Sequence, residues 1–98
     1  MENKKAVMMT NSDISKILNE IAGLLEKKME NQFKVRAYQR AAETIAGYPE
    51  PMDRLVAENR LREVPGVGEA ISKKITELVT TGKLDYLEQL RAEVKEAS

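Results

Sequence analysis

The spacing of apolar residues constrains this chain most, because it repeats every three or four positions through most of the length. The first stripe consists of Ile14, Ile17, Leu18, Ile21, Leu24, Leu25 and Met29. This spacing places apolar side chains on one face of a helix and predicts a helix over about 13–29. Asn11, Ser12 and Asp13 precede the apolar stripe and are candidates for capping this helix. No segment of useful length alternates with a period of two, so no β-sheet is expected.

Four further segments repeat the helical pattern between clear breaks. They predict helices over about 32–47, 52–60, 69–80 and 84–94. The apolar contacts of the first of these are expected from Phe33, Val35, Tyr38, Ala41, Ala42 and Ile45. Asn31 is its cap candidate, and Gly47 and Pro49 end it, since glycine accepts a left-handed turn and proline cannot continue a helix. The predicted fold class is all-α, a compact bundle of four to five short helices.

Composition limits the chemistry that this chain can perform. Its 98 residues fit one domain, expected over 11–98, with a flexible N-terminus over 1–10. The chain contains neither Cys nor His, which excludes disulfides, thiolate metal sites and a Ser-His-Asp arrangement. Lys plus Arg and Asp plus Glu number 16 each, so any basic surface must come from local clustering. With no bilayer-length apolar run and no secretion signal, a cytoplasmic location and no membrane partner are expected.

The segment Pro65-Gly66-Val67-Gly68 is the strongest break in the chain and lies between two predicted helices. Glycine permits a positive φ and lets another backbone approach closely. The amides that begin the following helix are unpaired and carry the positive end of its dipole, which favours an anion such as phosphate. A plain turn between two helices is the alternative interpretation of the same four residues.

The hairpin and its flanking apolar residues resemble a helix-hairpin-helix motif, which grips the DNA backbone without reading sequence. The resemblance implies that the amides of Gly66, Val67 and Gly68 contact phosphate oxygens. It also implies that the main-chain carbonyls of Arg62, Val64 and Val67 hold a monovalent cation, Na⁺ or K⁺. No other cofactor is predicted.

Two further blocks extend the resemblance. Residues 31–45 read NQFKVRAYQRAAETI, and residues 81–90 read TGKLDYLEQL. With the hairpin they resemble the N-terminal domain of family X DNA polymerases, the DNA polymerase beta-like group, over roughly 13–94. The resemblance implies non-sequence-specific binding to gapped or nicked DNA, through backbone phosphates and the 5′-phosphate end, in DNA repair or synthesis. It implies the rest of a polymerase, or a repair protein, as a further partner, while this chain holds no polymerase active site.

The resemblance also assigns individual side chains. Members of the family remove a 5′-deoxyribose phosphate with a Schiff-base lysine, which falls on Lys74, and hold phosphate with residues that fall on Lys34 and Tyr38. The predicted DNA-binding set is Lys34, Tyr38, Arg40, Gly66, Val67, Gly68, Lys73, Lys74 and Lys83. Lys74 as a solvated surface lysine and Tyr38 as a core aromatic are the alternatives.

Some positions depart from the family pattern. Ala70 replaces a phosphate-binding lysine, Asp85 and Tyr86 stand where a basic residue is expected, and Phe33 replaces a stacking histidine. DNA binding is therefore expected to carry over better than 5′-deoxyribose phosphate lyase activity. A protein-interaction module is a third possibility, which an apolar patch on the hairpin would favour.

Overall fold

Five α-helices are present in residues 9–97, the part of the chain that the structure, a computed structural model, describes. They are α1 (Asn11–Lys27), α2 (Gln32–Ala46), α3 (Met52–Ala57), α4 (Glu69–Thr81) and α5 (Asp85–Ala97). A 3₁₀ turn at Leu61–Glu63 leads into the hairpin. Residues 9–97 contain no strand, so the predicted all-α class is confirmed. The predicted flexible N-terminus lies outside the described residues, apart from Met9 and Thr10.

Helix α1 begins two residues earlier than its apolar pattern predicts. Thr10 is the N-cap, and its hydroxyl accepts a hydrogen bond from the Asp13 amide at 3.0 Å. The Asp13 carboxylate accepts one from the Thr10 amide at 3.1 Å, which completes a capping box. Capping by Asn11 or Ser12 is therefore wrong, and only Asp13 of the three candidates takes part.

Asn11 instead joins the start of α1 to the segment that leads into α3. Its amide nitrogen donates to the Glu50 carbonyl at 2.9 Å, and its side-chain oxygen accepts from the Met52 amide at 2.8 Å. The second bond satisfies one of the unpaired amides at the start of α3, whose own N-cap, Pro51, makes no side-chain cap. One side chain thus fixes two helix starts.

Two residues that the apolar pattern places inside are exposed. Met29 is 89% exposed with φ of +59°, because α1 ends at Lys27 and the chain reverses there. Phe33 is 82% exposed in the first turn of α2, where Asn31 is confirmed as the N-cap. The expectations that Met29 and Phe33 pack inward are wrong, since each lies where a helix end turns away from the core.

The glycines that end α2 and α4 act differently. Gly82 adopts φ of +77° and donates its amide to the Leu78 carbonyl at 2.8 Å, a left-handed C-cap. Gly47 has φ of −102°, so the left-handed turn expected there is wrong. Any L-residue can adopt that conformation, and a Cβ on Gly47 would meet no atom within 4 Å.

A single aliphatic core joins all five helices and the hairpin. Its members with the lowest exposure and largest volume include Ile14, Leu18, Ile21, Leu25, Ile45, Met52, Leu55, Ile75, Leu78 and Leu84. Burying each such side chain contributes about 1.5–3 kcal/mol. Helix α1 packs mainly on α2 and also on α5, while α3 packs on α4. Within residues 9–97, no helix combines the length and apolarity needed to cross a membrane.

Candidate functional site

The hairpin is a tight turn anchored by two buried valines. The Val67 amide donates to the Val64 carbonyl at 3.1 Å, and Gly66 adopts φ of +86°. Pro65 followed by a glycine of positive φ is typical of a type II turn. Val64 and Val67 point into the core, which leaves Gly66 and Gly68 exposed. The backbone of the turn is therefore its outer surface.

Only one of the two hairpin glycines has a positive φ. Gly66 uses the positive φ that glycine permits, whereas Gly68 has an ordinary φ of −88°. A Cβ on Gly66 would lie 3.5 Å from Cγ of Arg40, so the Arg40 stem lies beside this exposed glycine. A Cβ on Gly68 would meet no atom within 4 Å. Nothing inside the described chain explains a glycine at position 68.

The start of α4 presents amides without partners. Gly68 is the N-cap, has no side chain to cap the helix, and accepts from the Ser72 amide at 2.9 Å. Within residues 9–97 the amides of Glu69, Ala70 and Ile71 donate to no acceptor. These donors and the helix dipole favour an anion at this end of α4.

A cleft of about 440 Å³ lies where α2, the hairpin, α4 and α5 meet. Its lining consists of Lys34, Ala37, Tyr38, Gly66, Gly68, Glu69, Ala70, Ile71, Lys74 and Tyr86. Five of the residues predicted from sequence come together here: Lys34, Tyr38, Gly66, Gly68 and Lys74. Two lysines and the residues that carry the free amides of α4 thus line one concave surface.

The other predicted side chains lie outside this cleft. Lys73 is exposed on the next face of α4 and pairs with Glu69 at 3.7 Å. Lys83 is exposed in the link between α4 and α5. Arg40 lines a separate polar groove of about 670 Å³ between α1 and α2, together with Arg36. Val67 is buried and its amide already donates to the Val64 carbonyl, so its own carbonyl is the main-chain group left available, and the phosphate contact predicted for the Val67 amide is not supported.

Lys74 is half-buried in the cleft. Burial and, after it, the positive charge of Lys34 lower the pKa of the Lys74 ammonium group, while Glu77 opposes them. The Lys74 Nζ lies 4.5 Å from the centroid of the Tyr86 ring, within the range of a cation–π contact. Lys74 is therefore not a fully solvated surface lysine.

Tyr38 serves both the core and the cleft. It is 5% exposed, and its ring stacks on that of Tyr86 with centroids 6.4 Å apart and planes inclined by 19°. Burial, and then proximity to Tyr86, raise the pKa of the Tyr38 phenol above its usual value. The hydroxyl stays protonated at neutral pH and remains a hydrogen-bond donor.

Helices α3 and α4 are thus joined through a short 3₁₀ turn and a glycine turn, and α4 begins with unpaired amides. Residues 9–84 match the family model of the helix-hairpin-helix domain. The chain belongs to that family. The helix-hairpin-helix domain is also similar to two polymerases, which confirms the predicted resemblance to family X.

The first of these relatives is the DNA polymerase/3′-5′ exonuclease PolX of Bacillus subtilis (strain 168), 35% identical over 89 residues. The second is DNA polymerase lambda of Arabidopsis thaliana, 29% identical over 85 residues. The matches cover 90% and 87% of this chain, and 15% of each relative. The helix-hairpin-helix domain thus corresponds to a small part of each polymerase.

Sequence reasoning missed Tyr86 as a member of the site. It treated Tyr86 as the loss of a basic residue, although the ring contacts both Lys74 and Tyr38. Glu69 was also missed, although it is the carboxylate that lines the cleft. A tyrosine among the few aromatics of the chain was the available signal, but only the packing of α5 brings it to α4.

The carbonyls expected to hold a monovalent cation fit that chemistry in part. Within residues 9–97 the carbonyl oxygens of Arg62 and Val67 accept no hydrogen bond, and that of Val64 accepts one from Val67. Each carbonyl oxygen has two lone pairs, so all three retain acceptor capacity. Neutral oxygen donors of this kind suit hard cations.

Proposed function

We propose that this domain binds the phosphate backbone of DNA without reading its sequence, and that it favours gaps or nicks with a 5′-phosphate. The observation that carries the proposal is the cleft, which is lined by Lys34, Lys74 and the residues that carry the free amides of α4. Its PolX and polymerase lambda relatives are DNA polymerases by name, which supports a role in DNA repair or synthesis. Further polymerase domains or a repair protein are the proposed protein partners.

The charge distribution supports binding through the main chain. The whole chain has a formal net charge of zero, so long-range attraction to DNA is weak. Amides and a helix dipole act at short range and need no net charge. Lys73, Lys83 and Arg40 are exposed outside the cleft and are proposed to contact further phosphates of the backbone. Phe33, exposed beside Lys34, is proposed to stack on an unpaired base.

The hairpin surface favours an anion over an apolar protein partner. Within residues 9–97 the exposed large apolar side chains are Met29 and Phe33, and neither belongs to the hairpin. The hairpin valines are buried, and backbone forms the outer surface. A protein partner would need an apolar patch, and no large apolar side chain is exposed on the described hairpin.

A monovalent cation is proposed beside the bound phosphate. The carbonyls of Arg62, Val64 and Val67 would hold Na⁺ or K⁺, whose charge would offset that of the phosphate. We expect DNA affinity to fall when K⁺ is replaced by tetramethylammonium, which is too large for such a site, at equal ionic strength. Equal affinity in the two salts would contradict the cation proposal.

The main test compares a gapped duplex with and without a 5′-phosphate in the gap. Binding is expected to be at least about tenfold tighter with the phosphate, because one charge-assisted contact contributes about 1.5–3 kcal/mol. Lys34→Ala and Lys74→Ala should each remove most of this gain. Lys95→Ala, at an exposed lysine of α5 outside the cleft, is the matched control and should retain it. A gain that survives both cleft variants would overturn the assignment of the cleft.

A second function, 5′-deoxyribose phosphate lyase, is favoured by the state of Lys74. Burial and Lys34 lower the pKa of Lys74, which increases the neutral, nucleophilic fraction of the amine. The amine would attack the sugar aldehyde and release water to form a Schiff base. Loss of a proton from C2′ would then break the C3′–O bond, so that the DNA strand leaves with its 5′-phosphate. Water would hydrolyse the remaining Schiff base and release the unsaturated sugar from Lys74. Glu69 is the carboxylate of the cleft and is the proposed base, since the chain has no His.

Borohydride trapping tests the lyase proposal. We expect a covalent adduct between an abasic 5′-deoxyribose phosphate end and the unmodified protein, and none with Lys74→Ala. Trapping is expected to be slow, because Ala70 offers no charge to hold the phosphate and misplacement costs orders of magnitude in rate. Equal trapping by both proteins would show that Lys74 is not the nucleophile, and no trapping by either would leave DNA binding alone.

A further inference from the structure

Tyr86 contacts two residues of the cleft at once. It belongs to the first turn of α5 and is half-buried. Its ring centroid lies 4.5 Å from the Lys74 Nζ, and its ring stacks at 6.4 Å on Tyr38, a core residue of α2. A ring held against the core on α5 is therefore in contact with the flexible end of a lysine on α4.

We propose that Tyr86 is a positioning residue, which holds the charged Lys74 ammonium group in the cleft through a cation–π contact. A lysine side chain has a flexible four-carbon stem and loses much rotamer freedom when its end is fixed. An aromatic surface that already holds the ammonium group reduces the freedom lost when phosphate binds. The inference rests on the proposed function, because it assigns Lys74 to the phosphate as a cation.

The charges that face Lys74 make the role of the ring measurable. Lys34 on α2 disfavours the charged form, Glu77 on α4 favours it, and Tyr38 remains a neutral phenol. The face of the Tyr86 ring favours the charged form, while the bulk of the ring excludes water and disfavours it. Removing the ring therefore lowers the pKa of Lys74 if the cation–π contact dominates, and raises it if the ring acts only by burial.

The experiment is an NMR titration of the Lys74 Cε resonance in the full chain with ¹³C-labelled lysine and no DNA. Tyr86→Leu keeps apolar bulk without a π face, and Tyr86→Phe keeps the ring without the hydroxyl. We expect Tyr86→Leu to lower the pKa of Lys74 by about 0.5, the equivalent of a modest cation–π contact, and Tyr86→Phe to leave it near that of the unmodified protein. A pKa that rises or stays constant in Tyr86→Leu would overturn the proposal, as would an equal fall in Tyr86→Phe. Tyr86→Met replaces Tyr86→Leu if the latter fails to fold.

Binding of the gapped duplex supplies the second measurement. The gain in affinity from a 5′-phosphate should shrink about threefold in Tyr86→Leu, which corresponds to the lower end of the free-energy range of a cation–π contact. The gain should be retained in Tyr86→Phe. A full gain in a folded Tyr86→Leu variant would contradict the positioning role. If the unmodified protein binds the gapped duplex equally well with and without the 5′-phosphate, the proposed function fails. The titration still decides whether Tyr86 holds the charged form of Lys74.

Discussion

Gly66 and Gly68 lie two residues apart, but different forces constrain them. Gly66 adopts φ of +86°, a region that costs an L-residue about 1–2 kcal/mol, while its surroundings leave room for a methyl group. Gly68 has an ordinary φ of −88° and open space where a Cβ would lie. The folded chain thus explains the first glycine, and a ligand that approaches the backbone would explain the second.

The two alanine variants are therefore expected to behave differently. Gly66→Ala should lower the free energy of unfolding by about 1–2 kcal/mol, measured by urea denaturation. Gly68→Ala should leave stability within about 0.5 kcal/mol but weaken binding to the gapped duplex several-fold, because its methyl group would lie against the phosphate. If Gly68→Ala is folded and binds DNA as tightly as the unmodified protein, phosphate does not approach that backbone.

Among the helices, the start of α1 depends on Asn11 as well as on its capping box. Asn11→Ala removes the hydrogen bonds to the Glu50 carbonyl and from the Met52 amide, and leaves both partly buried groups without their partner. We expect a loss of about 1–3 kcal/mol in the free energy of unfolding. Ser12→Ala, at the exposed neighbouring position, is the control and should change stability by less than about 0.5 kcal/mol. Similar losses in both variants would contradict a special role for the link to α3, because alanine has a higher helix propensity than Asn or Ser and propensity alone would stabilise both.

The helix ends also explain which parts of the fold were predictable. The hydrophobic period located all five helices, because burying one face of a helix requires that spacing. It misplaced both ends of α1, since Thr10 and the left-handed Met29 are set by capping and chain reversal. Apolar periodicity carries no information on these local hydrogen bonds.

Across the whole molecule, pH should change the free energy of unfolding through carboxylates at the surface. Hydrogen bonds from Thr10, Arg91, Arg60 and Lys28 lower the pKa values of four groups. These are Asp13, Glu20, Glu58 and Glu93. A carboxyl group with a lower pKa when folded stabilises the protein above its unfolded pKa and ceases to do so as pH falls through the folded value.

Stability is therefore expected to be nearly constant between about pH 5.5 and 7.5 and to decline below the ordinary carboxyl values of 3.8 to 4.5. No His is present to titrate in the neutral range. Thermal unfolding at a series of pH values measures this, and about 1 M salt should reduce the decline because the ion pairs are exposed. A steep change near about pH 6.5 would contradict the expectation.

Salt dependence tests how a molecule without net charge binds DNA. If the five proposed cations, Lys34, Arg40, Lys73, Lys74 and Lys83, each neutralise at most one phosphate, the slope of log K against log salt should be no steeper than about −4.5. Contacts from main-chain amides add affinity without adding to this slope. Lys73→Ala should reduce the slope by about 1, and Lys95→Ala should leave it unchanged. A steeper slope would show that cations outside the proposed set bind DNA.

The sequence by itself determined the features that depend on neighbours in the chain. The helix count follows from apolar spacing, and the tight turn at Gly66 and the end of α4 at Gly82 follow from glycine chemistry. The blocks around Lys34 and Lys74 also identified the family, because order and spacing along the chain are properties of sequence alone. These features need no knowledge of how one helix packs on another.

Only the tertiary structure decided which side chains share the cleft. Lys34, Lys74 and Tyr86 come from α2, α4 and α5, so their meeting depends on how three helices pack. The same packing leaves Phe33 exposed although its type predicts burial. The physical reason is that burial and cation–π contacts act through space, between residues that lie far apart along the chain, and no local pattern records such distances.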